Sequence, residues 1–427
     1  MPIAGIGLFL QYKTTKMKNK VLYKLLFGIA ALASFVSCGE DRTHEYLEIT
    51  AENQWTYSQM KEKYLWADEM TSPARNEFFG TPAKFYKSLL SRQDNSSFFT
   101  DSASSASYGM KFAIMRDPLG EKRNQYYALV LFAEPGSPAA LAGIGRGTWI
   151  SAIDGKALTS SSGTSLQSGK AVTVVTHAIE YNDDEERYCW SNADTLSMAQ
   201  AAPLKNESIY LDSIYSMRSS KAGYIVCNSL DGENTAQQFS NILLTFAAED
   251  VTDIVLDLRY CNSGNIENAA EIASMFVPAS LAGSRFATLV ERDSTETVFR
   301  YTGPSVNLSD KKLYIITGND TKGIAELFVA SINASRGMHE VFTVGSRTAG
   351  TNVMTEAIES PYGFTIYPAV ARIGTSNGNW LPAEGIAPDY PVNEIEEPEN
   401  IYPLGSKQEF ILRNIEHLII NGSLPGK

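Results

Sequence analysis

Four short runs of apolar and β-branched residues, at 223–229, 254–258, 313–317 and 341–344, alternate with stretches whose apolar residues recur at helical spacing, chiefly 268–276 and 324–332. A short apolar run bounded by turn residues reads as a strand, and helix-period stretches between such strands carry the chain from one to the next. Alternation of this kind predicts a layered α/β core from about Leu204 onward. The stretch 407–420 has an amphipathic pattern stopped by Asn421-Gly422, which is how a helix ends when glycine follows its last turn.

The first half follows other periods. Tyr57, Met60 and Tyr64 recur at helical spacing with Trp66 just beyond, and Thr81-Pro82 opens a second helix that sets Phe85 and Leu89 on one face. The aromatic stripe is read as packing. The serine-rich stretch 96–107 reads as a connection. From Ser107 the pattern changes to strands, at 108–112, at 126–132 and around Ile150 and Ile153. Between them Ser137-Pro138 opens a helix expected to pack through Ala140 and Leu141. The reading divides the chain into a leader (1–38), a linker with a helical domain (39–100), a β-domain (101–178) and the layered core (179–427). The fold class is α/β within an overall α+β organisation.

A length of 427 residues suffices for two or three domains. The net charge of −12, spread along the chain without a basic cluster, disfavours nucleic acid and anionic membrane surfaces as partners. The leader carries a cationic segment, Met17-Lys-Asn-Lys20, then an apolar run at 25–36 ending in Phe35-Val-Ser-Cys38. That run is shorter than the ~20 residues a spanning helix needs. Its shape matches a bacterial lipoprotein signal cleaved before Cys38, whose thiol would be acylated. The expected location is therefore the cell envelope, exported and held by lipid on Cys38, with the outer membrane favoured. Cys189, Cys227 and Cys261 then remain, an odd number without metal spacing, and His44, His177, His339 and His417 form no zinc pattern. No metal and no cofactor is implied.

Asp253-Ile-Val-Leu-Asp-Leu-Arg259 followed by Tyr260-Cys-Asn-Ser-Gly264 resembles the core strand and glycine-rich turn of the C-terminal processing (tail-specific) serine peptidases. Members of that family take a serine nucleophile from a Thr-x-Ser-Ala-Ser-Glu segment and a lysine base from a Thr-x-Gly-Lys segment. The matching segments here read Thr321-Lys-Gly323-Ile-Ala-Glu326 and Thr348-Ala-Gly-Thr351. Glu384-Gly-Ile-Ala-Pro-Asp389 resembles the family's late turn. The succession from Glu134-Pro-Gly-Ser-Pro through Ile153-Asp-Gly155 resembles a PDZ domain of the type these peptidases carry, with Gly147-Thr148 where Gly-Asp is usual.

The resemblance thus implies a peptidase fold in which the nucleophile position is Gly323 and the base position is Thr351. Glycine has no oxygen with which to attack, and threonine has no amine to act as base. Backbone donors survive such replacement, so the family's oxyanion hole maps to the amides of Gly264 and Ile324. A PDZ groove would take an extended peptide as an added strand, with Tyr108, Gly109 and Met110 forming the carboxylate turn and Phe112 lining the side-chain pocket. The leading expectation is a catalytically degenerate envelope lipoprotein that binds peptides or unfolded C-termini, acting as an adaptor or beside active relatives. One alternative is a working serine peptidase with a rearranged pair drawn from Lys322, Ser263, Ser346 or Thr351. Another is an interaction protein whose cleft is closed.

Overall fold

The computed structural model describes residues 43–101, 106–204, 207–218, 220–336 and 341–425. Cys38 and the leader lie outside the described residues. Among those described, no helix is long and apolar enough to cross a membrane. The chain divides into two compact units. One comprises the residues up to Trp55 with Pro73–Phe85, and the other Thr56–Ser72 with the chain from Tyr86 onward.

In the smaller unit the side chain of Asn53, on the helix Thr43–Lys63, donates from Nδ2 to the carbonyls of Phe78 (2.9 Å) and Gly80 (2.7 Å). The rings of Phe78 and Phe85 lie 5.0 Å apart, and Tyr46 meets Phe79 edge-on at 5.5 Å. The helix Pro82–Leu89 starts at the proline, as the sequence predicts.

The larger unit contains the layered core. Its sheet runs in the order Ile209–Ser216, Lys221–Cys227, Asp253–Asp257, Lys312–Thr317, Val341–Gly345 and Tyr390–Pro391. Only the first pairing is antiparallel. Successive side chains of a strand point to opposite faces. Ile254, Leu256, Leu313 and Ile315 accordingly pack on one side with the helices Thr235–Ala248, Ile266–Ser274 and Ile324–Arg336. Val255, Tyr314 and Ile316 pack on the other with the helix Phe410–Asn421. All five residues of Asp253–Asp257 are buried, which is why these strands read as unbroken apolar runs rather than as alternation. Burying a side chain such as Leu256 contributes about 2 kcal/mol. The final helix ends at Gly422, whose φ of 73° closes it as Asn421-Gly422 predicts.

The second sheet is antiparallel throughout: Met110–Arg116, Tyr126–Ala133, Trp149–Ile153, Val172–His177 and Asp194–Met198. A domain boundary at 178 therefore cuts this sheet, because the strand ending at Met198 pairs with the one ending at His177. Met110–Arg116 lies at its edge. Ile150 and Ile153 are both buried despite their odd spacing, because a register shift falls between Ile150 and Ala152.

Two expectations are corrected. The helix Pro138–Leu141, capped by Ser137 Oγ accepting from Ala140 N–H, is a single turn. One turn brings Ala139 inward and leaves Leu141 80% exposed, so the packing residue is Ala139. The stretch 96–107 is not only a connection, since Phe98–Asp101 pairs antiparallel with Phe364–Tyr367 and Phe98 stacks on Tyr367 at 4.2 Å. The two phenylalanines at 98 and 99 give this segment apolar surface that the surrounding serines obscure.

A buried charge network joins the second sheet to the core. Arg146 donates to Leu131 O (2.7 Å), Tyr260 Oη (3.0 Å), Glu394 (3.1 Å) and Glu409 (3.1 Å). Arg259, from the end of a central strand, reaches Glu409 at 2.7 Å and Asp257 at 2.8 Å.

Candidate functional site

The site is built from turns that leave the carboxyl ends of parallel strands. After Asp253–Asp257 the chain runs through Tyr260, Cys261, Asn262 and Ser263 to Gly264, and Asn265 then caps the helix Ile266–Ser274. After Lys312–Thr317 a tight turn leads into the helix Ile324–Arg336. Thr321 stitches the two turns together. Its hydroxyl donates to Leu258 O (2.7 Å) and accepts from Gly318 N–H (2.9 Å), while Lys322 N–H donates to Cys261 O (3.2 Å). A Cβ on Gly264 would stand 2.9 Å from Ile324 Cγ2 and 3.0 Å from Leu230 Cβ, so only glycine lets the turns approach this closely.

Glu326 fastens the third piece. Its buried carboxylate accepts from the backbone N–H groups of Gly323 (3.0 Å), Gly350 (2.7 Å) and Thr351 (2.7 Å), and from the Thr348 hydroxyl. Burial raises the Glu326 pKa above its ordinary value, and the four donors oppose that shift without cancelling it. The late turn closes behind, with Thr348 N–H donating to Ile386 O (3.1 Å) and Ile386 N–H to Thr348 Oγ1 (2.7 Å).

This clamp brings Gly323 and Thr351 face to face. A Cβ on Gly323 would lie 3.9 Å from Thr351 Cγ2, its nearest neighbour, and Gly323 has φ +61°. Gly264 and Ile324 are likewise adjacent, and neither backbone N–H has an acceptor among the described residues. Ile324 begins its helix, where the backbone dipoles favour negative charge. Among the described residues no hydrogen bond joins Ser263, Ser346 or Thr351 to the Lys322 side chain. Ser263 Oγ donates to Ser229 Oγ (2.9 Å), and Lys322 is exposed. Cys261 is fully buried and its thiol faces Ser263 O.

A groove of about 570 Å³ runs between the second sheet and the core. Gly109, Met110 and Phe112 line it; Tyr108 does not. The Tyr108 ring is buried among Val130, Ile150 and Leu166, and its hydroxyl donates to Lys170 O. Lys111 also lines the groove, with its ammonium 2.8 Å from Asp320. Sequence reasoning missed Lys111, Glu134, Asn228 and Asp320 as groove residues. One signal for two of them was present: Asn228 and Asp320 follow the carboxyl ends of parallel strands, where ligand crevices of α/β sheets open.

Residues 221–392 match the family model described as peptidase family S41, and residues 51–100 match the peptidase S41 N-terminal domain. The carboxy-terminal processing protease CtpA of Bacillus subtilis is 23% identical over 306 residues, 70% of this chain and 61% of that protein. A probable CtpA-like serine protease of Staphylococcus aureus is 22% identical over 258 residues, 60% of this chain and 48% of its own length. The chain thus spans about half the length of the Staphylococcus relatives it matches. A putative S41 protease from Bacteroides fragilis superposes with a TM-score of 0.72 at 25% identity, covering 86% of this chain and 97% of that one. A photosystem II D1 C-terminal processing protease shares the fold with a TM-score of 0.51 at 17% identity, covering 86% and 97%. With the strand order, the two motif turns and their glutamate clamp in place, this chain belongs to peptidase family S41, the C-terminal processing peptidases.

Proposed function

We propose that this chain is a member of its family that has lost the serine–lysine chemistry and acts by binding extended peptides, tethered to the bacterial envelope by lipid on Cys38. The observation that carries the reading is the facing pair Gly323 and Thr351. Glycine stands at the position that would hold the nucleophilic hydroxyl, and threonine at the position that would hold the amine. Further support comes from Ser263, whose hydroxyl is bonded to Ser229, and from the exposed position of Lys322, which lacks the desolvation that turns a lysine into a base. The free amides of Gly264 and Ile324 could still polarise a peptide carbonyl, so binding does not require turnover. The edge strand Met110–Arg116 is suited to receive a peptide as an added strand, in a PDZ-like domain whose sheet runs past 178 to the strand Asp194–Met198. Relatives named for carboxy-terminal processing extend the proposed ligands to unfolded carboxyl termini, and active family members are candidate partners.

The test incubates the purified chain with unfolded casein. No cleavage is expected. Gly323→Ser with Thr351→Lys restores both groups to the frame, and slow covalent labelling by a serine-directed fluorophosphonate is the expected gain. Efficient casein cleavage by the unmodified chain, abolished by Ser263→Ala or Lys322→Ala, would overturn the proposal in favour of a rearranged active site.

A further inference from the structure

The groove beside the edge strand holds three charged side chains, and two of them neutralise each other. Lys111 Nζ sits 2.8 Å from Asp320 Oδ2 and 5.6 Å from the centre of the Tyr260 ring. The third, Glu134, is 7% exposed and has no cationic partner among the described residues. Among the described residues its carboxylate accepts one long hydrogen bond, from Glu207 N–H at 3.4 Å. Burial raises its pKa above the ordinary carboxylate value, as happens to an acid without a counter-charge. Glu134 also stands at the end of the groove where a peptide terminus would dock, because its own N–H donates to Gly109 O at 2.7 Å. The Gly109 N–H that would greet a terminal carboxylate is already given to Ser107 Oγ at 3.0 Å.

A second observation points to the same space. Asn228 lines the groove and is 8% exposed, and neither its amide nitrogen nor its oxygen has a partner among the described residues. Leaving a buried amide without partners is unfavourable, so such groups are ordinarily satisfied by something. Met110, Phe112, Phe132 and Leu204 supply apolar wall around these polar points.

We infer that the groove takes an extended peptide through a lysine or arginine side chain, with Glu134 as counter-charge, Asn228 as hydrogen-bonding partner of the peptide backbone and the apolar wall covering the aliphatic stem. A free terminal carboxylate meets an anion there and is disfavoured. This rests on the peptide-binding reading above and narrows its ligand class, removing free carboxyl termini from the ligands of this groove. Lysine and arginine suit the site because their stems lie on apolar surface while the charged head reaches a polar one.

The experiment is fluorescence anisotropy on the full chain in mild detergent, with labelled ten-residue peptides that differ at one point. One carries a central lysine with both termini blocked, a second has norleucine there, and two more expose the amino or the carboxyl terminus of the norleucine peptide. The lysine peptide is expected to bind about tenfold tighter than the norleucine peptide, as one charge-assisted contact allows. Glu134→Gln, which keeps shape and removes charge, should bring that ratio close to one, and Asn228→Ala should weaken the lysine and norleucine peptides alike. If the amino-terminal peptide gains as much as the lysine peptide, the cation preference stands and its source is the chain terminus rather than a side chain, which overturns the side-chain assignment. Equal affinity for lysine and norleucine, or tightest binding of the carboxylate peptide, would overturn the inference while leaving peptide binding intact. Binding of none of the four overturns both. The comparison among peptides on the unmodified chain stands even if a variant misfolds.

Discussion

Glu326 accepts four hydrogen bonds at once and so ties together two loops separated by more than twenty residues of chain. Replacing it with alanine would leave three backbone N–H groups and a hydroxyl without an acceptor in a buried place. Glu326→Ala is therefore expected to lose about 3 kcal/mol or more, read as a fall in the urea midpoint. The sign of its pH dependence follows from its raised pKa. The contribution of this titration is complete below 4.5, the ordinary value, and is lost as pH rises through the folded value. Gly323, next to this clamp, has open space for a serine side chain but a left-handed backbone, so Gly323→Ser alone should fold at a cost of about 1–2 kcal/mol. A thermal melt checks it. That glycine stands at 323 and threonine at 351 was legible in the sequence, inside a frame marked by the flanking threonines, glycines and glutamate. That Glu326 is the clamp was not, because a motif gives a residue type and not its four partners.

Among the elements, the decisive junction is Arg146 at the foot of the second sheet. It is buried against Glu394 and Glu409 and also donates to Leu131 O and Tyr260. Removing one partner of a buried network leaves charge uncompensated, so Arg146→Met should destabilise by about 3–5 kcal/mol, measured by guanidinium unfolding. Limited proteolysis should also nick the chain between Val172–His177 and Ile209–Ser216 sooner in this variant. Glu409, the cap of the last helix, adds a pH signature. Burial works against its ionised form, yet Arg259, Arg146 and the Leu412 N–H outweigh that and hold its pKa below the ordinary 4.5. The stability it supplies is thus complete above 4.5 and drains away as pH falls through the folded value. Glu409→Gln should flatten the acid limb of a plot of melting temperature against pH. None of this network was read from the sequence. Its members lie in three distant stretches, and charged residues by count are ordinarily solvated.

For the molecule as a whole, the proposed lipid attachment rests on Cys38, which lies outside the described residues. If Cys38 is acylated, metabolic labelling with palmitate should mark the full chain, and Cys38→Ala should abolish the label and release the protein from the membrane fraction. The sequence by itself determined the layered core, because strands buried on both faces must be continuous apolar runs and helices between them must carry a 3.6-residue period. It also determined that positions 323 and 351 lack a hydroxyl and an amine, since that is a matter of covalent identity. Only the tertiary structure decided that these two positions face each other, that Phe98–Asp101 is a strand rather than a connection, that Leu141 points outward, and that Glu134 and Asn228 share a groove with Lys111 and Asp320. Each of those is a relation between residues far apart along the chain. Side-chain period and turn chemistry report on neighbours in sequence, whereas burial, pairing and the sign of a local charge balance are set by whatever the fold brings alongside.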